Sequence, residues 1–190
     1  VAGFLGQIAK VMDRFTQRVS AATGTTSITG NRNVRHIAGP VFLHCECANV
    51  MISTADWEKF FMPLDIEWSR RHRPFGIHYC GKDPHRYAES FAKLPHLDFL
   101  DVGWGGDVAL LRRHLPDTFL NVRLSPVDLP QQTPDEVRRT VRRLVRDSGN
   151  PWLTGVCCIN MDRNVRDDQV AAIFEEVQSL REEYASAEEA

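Results

Sequence analysis

Long apolar runs are missing from this sequence. No uncharged stretch approaches the roughly 18 residues that a membrane-spanning helix needs, so no membrane partner is expected. Residues 1–10 (VAGFLGQIAK) carry neither the basic start nor the long apolar core of a secretory leader, and the expected location is cytoplasmic. The chain opens on Val1 rather than Met, which reads as a partial chain. An excess of charge is also missing. With 23 Lys+Arg against 25 Asp+Glu the net charge is -2, which gives no electrostatic reason to expect a nucleic-acid partner. Repeats, low-complexity linkers and abrupt changes of composition are absent too. Cysteine is sparse and odd in number, with five residues. That excludes the paired framework of a small secreted scaffold. Cysteines mixed with His and Glu read instead as reduced thiols and metal ligands of a cytosolic protein. What remains is ordinary globular composition, 43% hydrophobic and 25% charged, and one domain over 1–190.

The hydrophobic pattern alternates short apolar runs with longer amphipathic ones. Phe4 to Ala22 reads as a helix, with Ile8, Val11, Met12, Phe15 and Val19 at helical spacing. Gly24 to Asn33 is a loop rich in Gly, Thr and Asn. Five strand-helix units then follow. The predicted strands are Pro40 to Cys47, Pro74 to Tyr79, Leu97 to Val102, Phe119 to Leu124 and Trp152 to Ile159. The predicted helices begin at Ser53 or Thr54, run from Pro84 to Leu94, run from Asp107 through His114, run from Thr133 to Arg146, and run from Asp167 to about Ser186. Thr133, Pro134 and Glu136 form a capping-box start. Arg138, Arg139, Arg142, Arg143 and Arg146 read as a solvated basic face, and Glu182 to Ala190 as a frayed tail. Strict strand-helix alternation means an α/β fold with a parallel sheet. It suits either an open doubly wound sheet or part of a (β/α)8 TIM barrel. A whole barrel needs about 250 residues, so in the barrel case roughly the first three strands are not in this chain. Either way the site is expected at the C-terminal ends of the strands.

Side chains two apart share a face of a strand. His78 and Cys80 therefore point the same way at one strand end, which is half of a zinc site or a packed core pair. On the last strand Leu153, Gly155 and Cys157 share one face, and Trp152, Thr154, Val156 and Cys158 the other. Bulky Trp152 suits packing against helices, so Cys157 rather than Cys158 is expected to join His78 and Cys80. On the first strand the polar face of His44 and Glu46 is expected to line the site, with Glu46 as metal ligand, general acid/base or substrate contact. Cys45 and Cys47 would then pack under helices. The alternative, a C-x-C chelate, would turn charged Glu46 toward apolar packing at a cost. Asn121 and Arg123 share a face, where Arg123 could bind a carboxylate or phosphate group, or form an ion pair with Asp101 or Asp98.

Residues from Pro40 to Tyr184 resemble, in order, the uroporphyrinogen decarboxylase superfamily. The resemblance is carried by Asn49-Val50-Met51-Ile52-Ser53-Thr54-Ala55-Asp56-Trp57 through Phe60-Phe61-Met62-Pro63, by Gly76-Ile77-His78-Tyr79-Cys80-Gly81, and by Leu97 to Val102 followed by Asp107-Val108-Ala109-Leu110-Leu111. Ser125-Pro126-Val127-Asp128-Leu129 stands where that family has an Asn-x-Asp-Pro loop, a departure that leaves the loop's ligand role open. The resemblance implies the C-terminal part of a (β/α)8 barrel, after a leading helix. The H-x-C pair, a late Cys and the lack of a late His-Gly pair point to the cobalamin-linked methyltransferase branch. That branch implies Zn²⁺ on His78, Cys80 and Cys157 (or Cys158), and a methyl group moved from a corrinoid carried by a partner protein to a small thiol or folate-type acceptor. Glu46 and Asp101 are the expected catalytic residues, Asn121 and Arg123 the expected substrate contacts. Two rivals stay open: a metal-free, decarboxylase-like carboxy-lyase using Glu46, Asp101 or Arg123, and a non-catalytic module derived from the barrel. In all three, the open sheet edges ask for cover by an N-terminal barrel half or a second copy of the chain.

Overall fold

A computed structural model describes residues 1–24, 37 and 40–188. The stretch expected to loop from Gly24 to Asn33 lies, after Gly24 itself, outside the described residues. The chain begins with α1 (Ala2–Thr23), which ends on Gly24 in the left-handed region at φ 68, its N–H bonded to Ser20 O. Five units follow: β1 (Phe42–Cys45) with α2 (Thr54–Phe60) and α3 (Met62–Arg71), β2 (Phe75–Tyr79) with the single turn α4 (Ala88–Phe91), β3 (Phe99–Val102) with α5 (Val108–His114), β4 (Phe119–Arg123) with α6 (Pro134–Asp147), and β5 (Thr154–Cys157) with α7 (Asp167–Glu188). Caps fix the helix starts. Ser53 accepts from Asp56 N, Asp107 from Leu110 N, and Thr133 with Glu136 closes a capping box. None of the described helices is long and apolar enough to cross a membrane.

The sheet is all parallel in the order β1-β2-β3-β4-β5. A doubly wound sheet reverses its order at a switch point and carries helices on both faces. Here the order never reverses, and among the described residues the helices pack on one face. Trp57, Trp68, Phe91, Leu111, Val141 and Ala172 share a core with Phe42, Ile77, Leu100 and Val122. The opposite face holds a separate small core of Val41, Leu43, Phe99 and Phe119, with the last two rings stacked at 5.7 Å. This is the arrangement of a barrel segment with an inner and a helix-covered outer face, and the sheet does not close on itself.

On α1, Phe4, Ile8, Val11, Met12 and Phe15 are exposed, and only Ala9 and Thr16 are buried. Two sequence expectations are corrected. The tail from Glu182, expected to fray, is helical as far as Glu188, and Glu189 and Ala190 lie outside the described residues. The arginine run is not wholly solvated. Arg138 donates to Glu175 at 2.7 Å, and Arg142 to Glu176 at 2.7 Å and Glu183 at 2.6 Å, which ties α6 to α7.

The strand ends come very close together. A Cβ added to Gly103, just after β3, would lie 1.8 Å from the carbonyl oxygen of Gly81, just after β2. Gly103→Ala is therefore expected to cost at least about 2 kcal/mol in urea denaturation, because rigid backbone rather than a flexible side chain must yield. A loss under about 0.5 kcal/mol would show that the two backbones part freely.

Candidate metal and acid-base site at the strand ends

The inner face turns polar toward the C-terminal ends of the strands. Register sets His78 beside Asp101, Asp101 beside Asn121, and Arg123 beside Cys157. Asp101 is the hub. Its Oδ2 accepts from His78 Nδ1 at 2.5 Å and from Arg123 Nη2 at 3.0 Å, and its Oδ1 accepts from Asn121 Nδ2 at 3.1 Å. Because a carboxylate only accepts, it is His78 Nδ1 that donates in this pair. Asn121 Nδ2 also reaches Cys157 Sγ at 3.2 Å. The Arg123 side chain is fully buried, and its Nε and Nη1 have no hydrogen-bond partner. As it stands, Arg123 holds Asp101 rather than meeting solvent, so the ion-pair alternative describes it.

β1 contributes the sulfurs. Residues two apart along an extended strand stand roughly 6.6 Å apart, yet Cys45 Sγ and Cys47 Sγ are 3.3 Å apart. The cause is a bend. β1 stops at Cys45, Glu46 takes φ -114 and ψ 38, and Cys47–Met51 forms a 3-10 turn. The turn is pinned by Tyr87 Oη, which donates to the carbonyls of Asn49 and Ile52 at 2.9 Å each. Glu46 N–H donates to His78 O at 2.9 Å and holds the bend against β2. As a result one donor atom each from Cys45, Cys47 and His78 lie within 4.8 Å of one another. Among the described residues only one other such group meets that limit, His44, Glu46 and Asp65.

Cys80 lies alongside the first group, in hydrogen-bond contact with Cys47. Cys157 lies across the sheet on Asn121 and Arg123, and Cys158 packs against the helix-side core. Of the ligand set expected from the sequence, then, His78 stands in a three-donor group, Cys80 stands beside it, and neither Cys157 nor Cys158 is a member. The weighed alternative, a C-x-C pair, supplies the two sulfurs instead. Partial burial, then the neighbouring Cys80 and Cys45, pushes the Cys47 thiol up to about 12. Burial, then the Asp101 carboxylate, pushes the Cys157 thiol up to about 11 against the pull of Arg123. Such thiols stay protonated at neutral pH unless a cation displaces the proton.

The face assignment on β1 is reversed. The grouping of Phe42, His44 and Glu46 against Cys45 is right, but it is the first three that face the helices. Phe42 stacks on His72 at 4.2 Å and His44 meets Trp68 edge-on at 4.6 Å. Glu46 takes Trp57 Nε1 on both carboxyl oxygens at 3.1 Å and Asn49 Nδ2 at 2.5 Å. It is buried away from the inner face and lines no inner site. The donors offset part of the cost of burying this carboxyl, while burial, and then the neighbouring Asp65, hold its pKa well above the usual carboxylate range.

No family model matches the sequence, and no curated protein does. Among solved structures the chain is similar to a methyltransferase from Methanosarcina mazei, with a TM-score of 0.59 at 12% identity over 74% of this chain. The chain spans 42% of that protein's length. The likeness is one of fold, and it agrees with the open, sequentially ordered sheet described above: this chain has a partial TIM-barrel, methyltransferase-like fold.

Proposed function

We propose that the chain is the zinc-binding part of an enzyme that moves a methyl group from a methylated corrinoid, carried by a partner protein, to a thiol acceptor. One observation carries this reading: His78, held by Asp101 through Nδ1, belongs to a three-donor group with the sulfurs of Cys45 and Cys47. A histidine that donates one N–H to a carboxylate while its other nitrogen joins thiols is the common second-shell pattern of zinc ligation. Cys45 and Cys47 as thiolates with neutral His78 would balance a divalent charge, and the borderline-soft N/S set suits Zn²⁺. A bound Zn²⁺ with its fourth position open would hold an acceptor thiol as its thiolate. Cys80, beside Cys47, is the protein thiol that would otherwise take that position.

In this reading Asp101 is a positioning residue, and Asn121 and Arg123 position it in turn. The acceptor's sulfur forms the new S–CH₃ bond as the corrinoid's Co–CH₃ bond breaks, with the electron pair staying on the corrinoid and the thiol proton released. The metal-free carboxy-lyase reading is weaker, since Glu46 faces the helices, on the side of the sheet away from Asp101 and Arg123. The uncovered stripe of α1 and the outer edges of β1 and β5 would receive the remainder of a barrel, from further chain or a second copy.

The test is methyl transfer from methylcobalamin to small thiols, measured before and after metal is removed with chelator. The reading expects activity that disappears with the metal and returns with Zn²⁺. Activity indifferent to chelator, or none with a stoichiometric metal bound, would contradict it. Asp101→Asn keeps the shape but disturbs the hold on His78, so zinc affinity is expected to fall about 10–100-fold. Competition with a chromophoric chelator measures this, and an unchanged affinity would remove Asp101 from the account.

A further inference from the structure

Alternation at the end of β1 sends Cys45 to the inner face and His44 and Glu46 to the helix side. There they meet Asp65, from the first turns of α3. His44 Nδ1 lies 2.8 Å from Asp65 Oδ1 and 3.6 Å from Glu46 Oε1, and the three donor atoms all lie within 4.8 Å of one another. Asp65 is 1% exposed and Glu46 4%. Glu46 is supported by Trp57 and Asn49, and its carboxyl stands in hydrogen-bond contact with that of Asp65. Two carboxylates both accept, so the buried Asp65 Oδ2 has no donor among the neighbouring groups. Either a shared proton or a cation must satisfy it, with on the order of 1–3 kcal/mol at stake.

We infer that His44, Glu46 and Asp65 form a second divalent-cation site, chemically distinct from the thiol group and separated from it by the thickness of one strand. Two carboxylates and a neutral imidazole bring a divalent ion to zero net charge, which is what a site cut off from water requires. The donors are one nitrogen and carboxylate oxygens with no sulfur, so Mn²⁺, Fe²⁺, Co²⁺ or Zn²⁺ suit it and soft Cu(I) does not. Asp65 belongs to α3 while His44 lies in β1 and Glu46 just after it. An ion there would clamp helix to strand just behind the bend that presents Cys45 and Cys47. The role is structural, and the inference does not depend on the methyl-transfer reading.

The probe is Co²⁺, titrated into the metal-free chain and followed by optical absorption and by metal content after dialysis. Two equivalents are expected, one with thiolate-to-cobalt charge-transfer absorption and one without. Cys45→Ser/Cys47→Ser is expected to keep one equivalent that lacks the charge-transfer band. Asp65→Asn is expected to keep one equivalent that shows it, with the other bound at least about 100-fold more weakly. If the Asp65 variant does not fold, the wild-type stoichiometry and the double-serine variant decide. A single equivalent in the wild type, or none in the double-serine variant, would mean that protons alone occupy the group, and would overturn the inference. Loss of the charge-transfer band alone would count against the thiol site and leave this one standing.

Discussion

His78→Ala is expected to weaken zinc or cobalt binding at the inner-face site by more than about a hundredfold, and to abolish metal-dependent methyl transfer with it. The size follows from what the ring does. Disturbing a ligand's supporting carboxylate costs about 10–100-fold in affinity, and here the ligand itself is removed while two thiols stay behind. Cys47, pushed up to about 12, then has less cation to displace its proton. Asp101 keeps Arg123 and Asn121 as partners, so the fold is expected to survive. Metal competition and circular dichroism on the same sample separate the two effects. Near-normal affinity in the folded variant would show that the sulfurs hold metal without the imidazole.

Arg123→Met carries the largest expected loss of stability. Arg123 is fully buried, and its partner Asp101 is nearly so. Removing one member of such a pair leaves an uncompensated charge in the interior, at about 3–5 kcal/mol. The double variant Arg123→Met/Asp101→Leu removes both charges and is expected to recover most of that loss, because apolar replacement of a whole buried pair is often close to neutral. Urea unfolding of the wild type, both single variants and the double variant gives the coupling. A cost under about 1 kcal/mol for Arg123→Met would place the pair with exposed salt bridges instead.

The fold was largely legible because its signals are local. Period-two patterns gave the strands, and the division of Asn121 and Arg123 from Leu120, Val122 and Leu124 matches the observed inner and outer faces. Ser53, Asp107 and Thr133 announced their helices. The site was less legible, for a reason that can be named. The reading carried alternation through Cys47, but the chain leaves the extended region at Glu46 without a Gly or Pro to mark the turn. The available signal was Asn49, whose side chain closes the turn on Glu46. The bend brings together two sulfurs that an extended strand would keep apart.

Asp65 was missed for a related reason. The helix after Ser53 is broken at Phe61, with Pro63 in the first turn of α3. Only when α3 is recognised does Asp65 fall on the same stripe as Phe61 and Trp68, an acid in an apolar row. The exposed side of α1 marks a different limit. Ile8, Val11, Met12 and Phe15 have the spacing of a core face, but the spacing does not say what covers them.

The most direct measurement is X-ray absorption at the zinc edge on the chain loaded with one equivalent of Zn²⁺. At least two sulfur neighbours at about 2.3 Å, with nitrogen at about 2.0–2.1 Å, are predicted, and the sulfur shell should vanish in Cys45→Ser/Cys47→Ser. A shell of oxygen and nitrogen alone in the wild type, or a sulfur shell unchanged in that variant, would contradict the account.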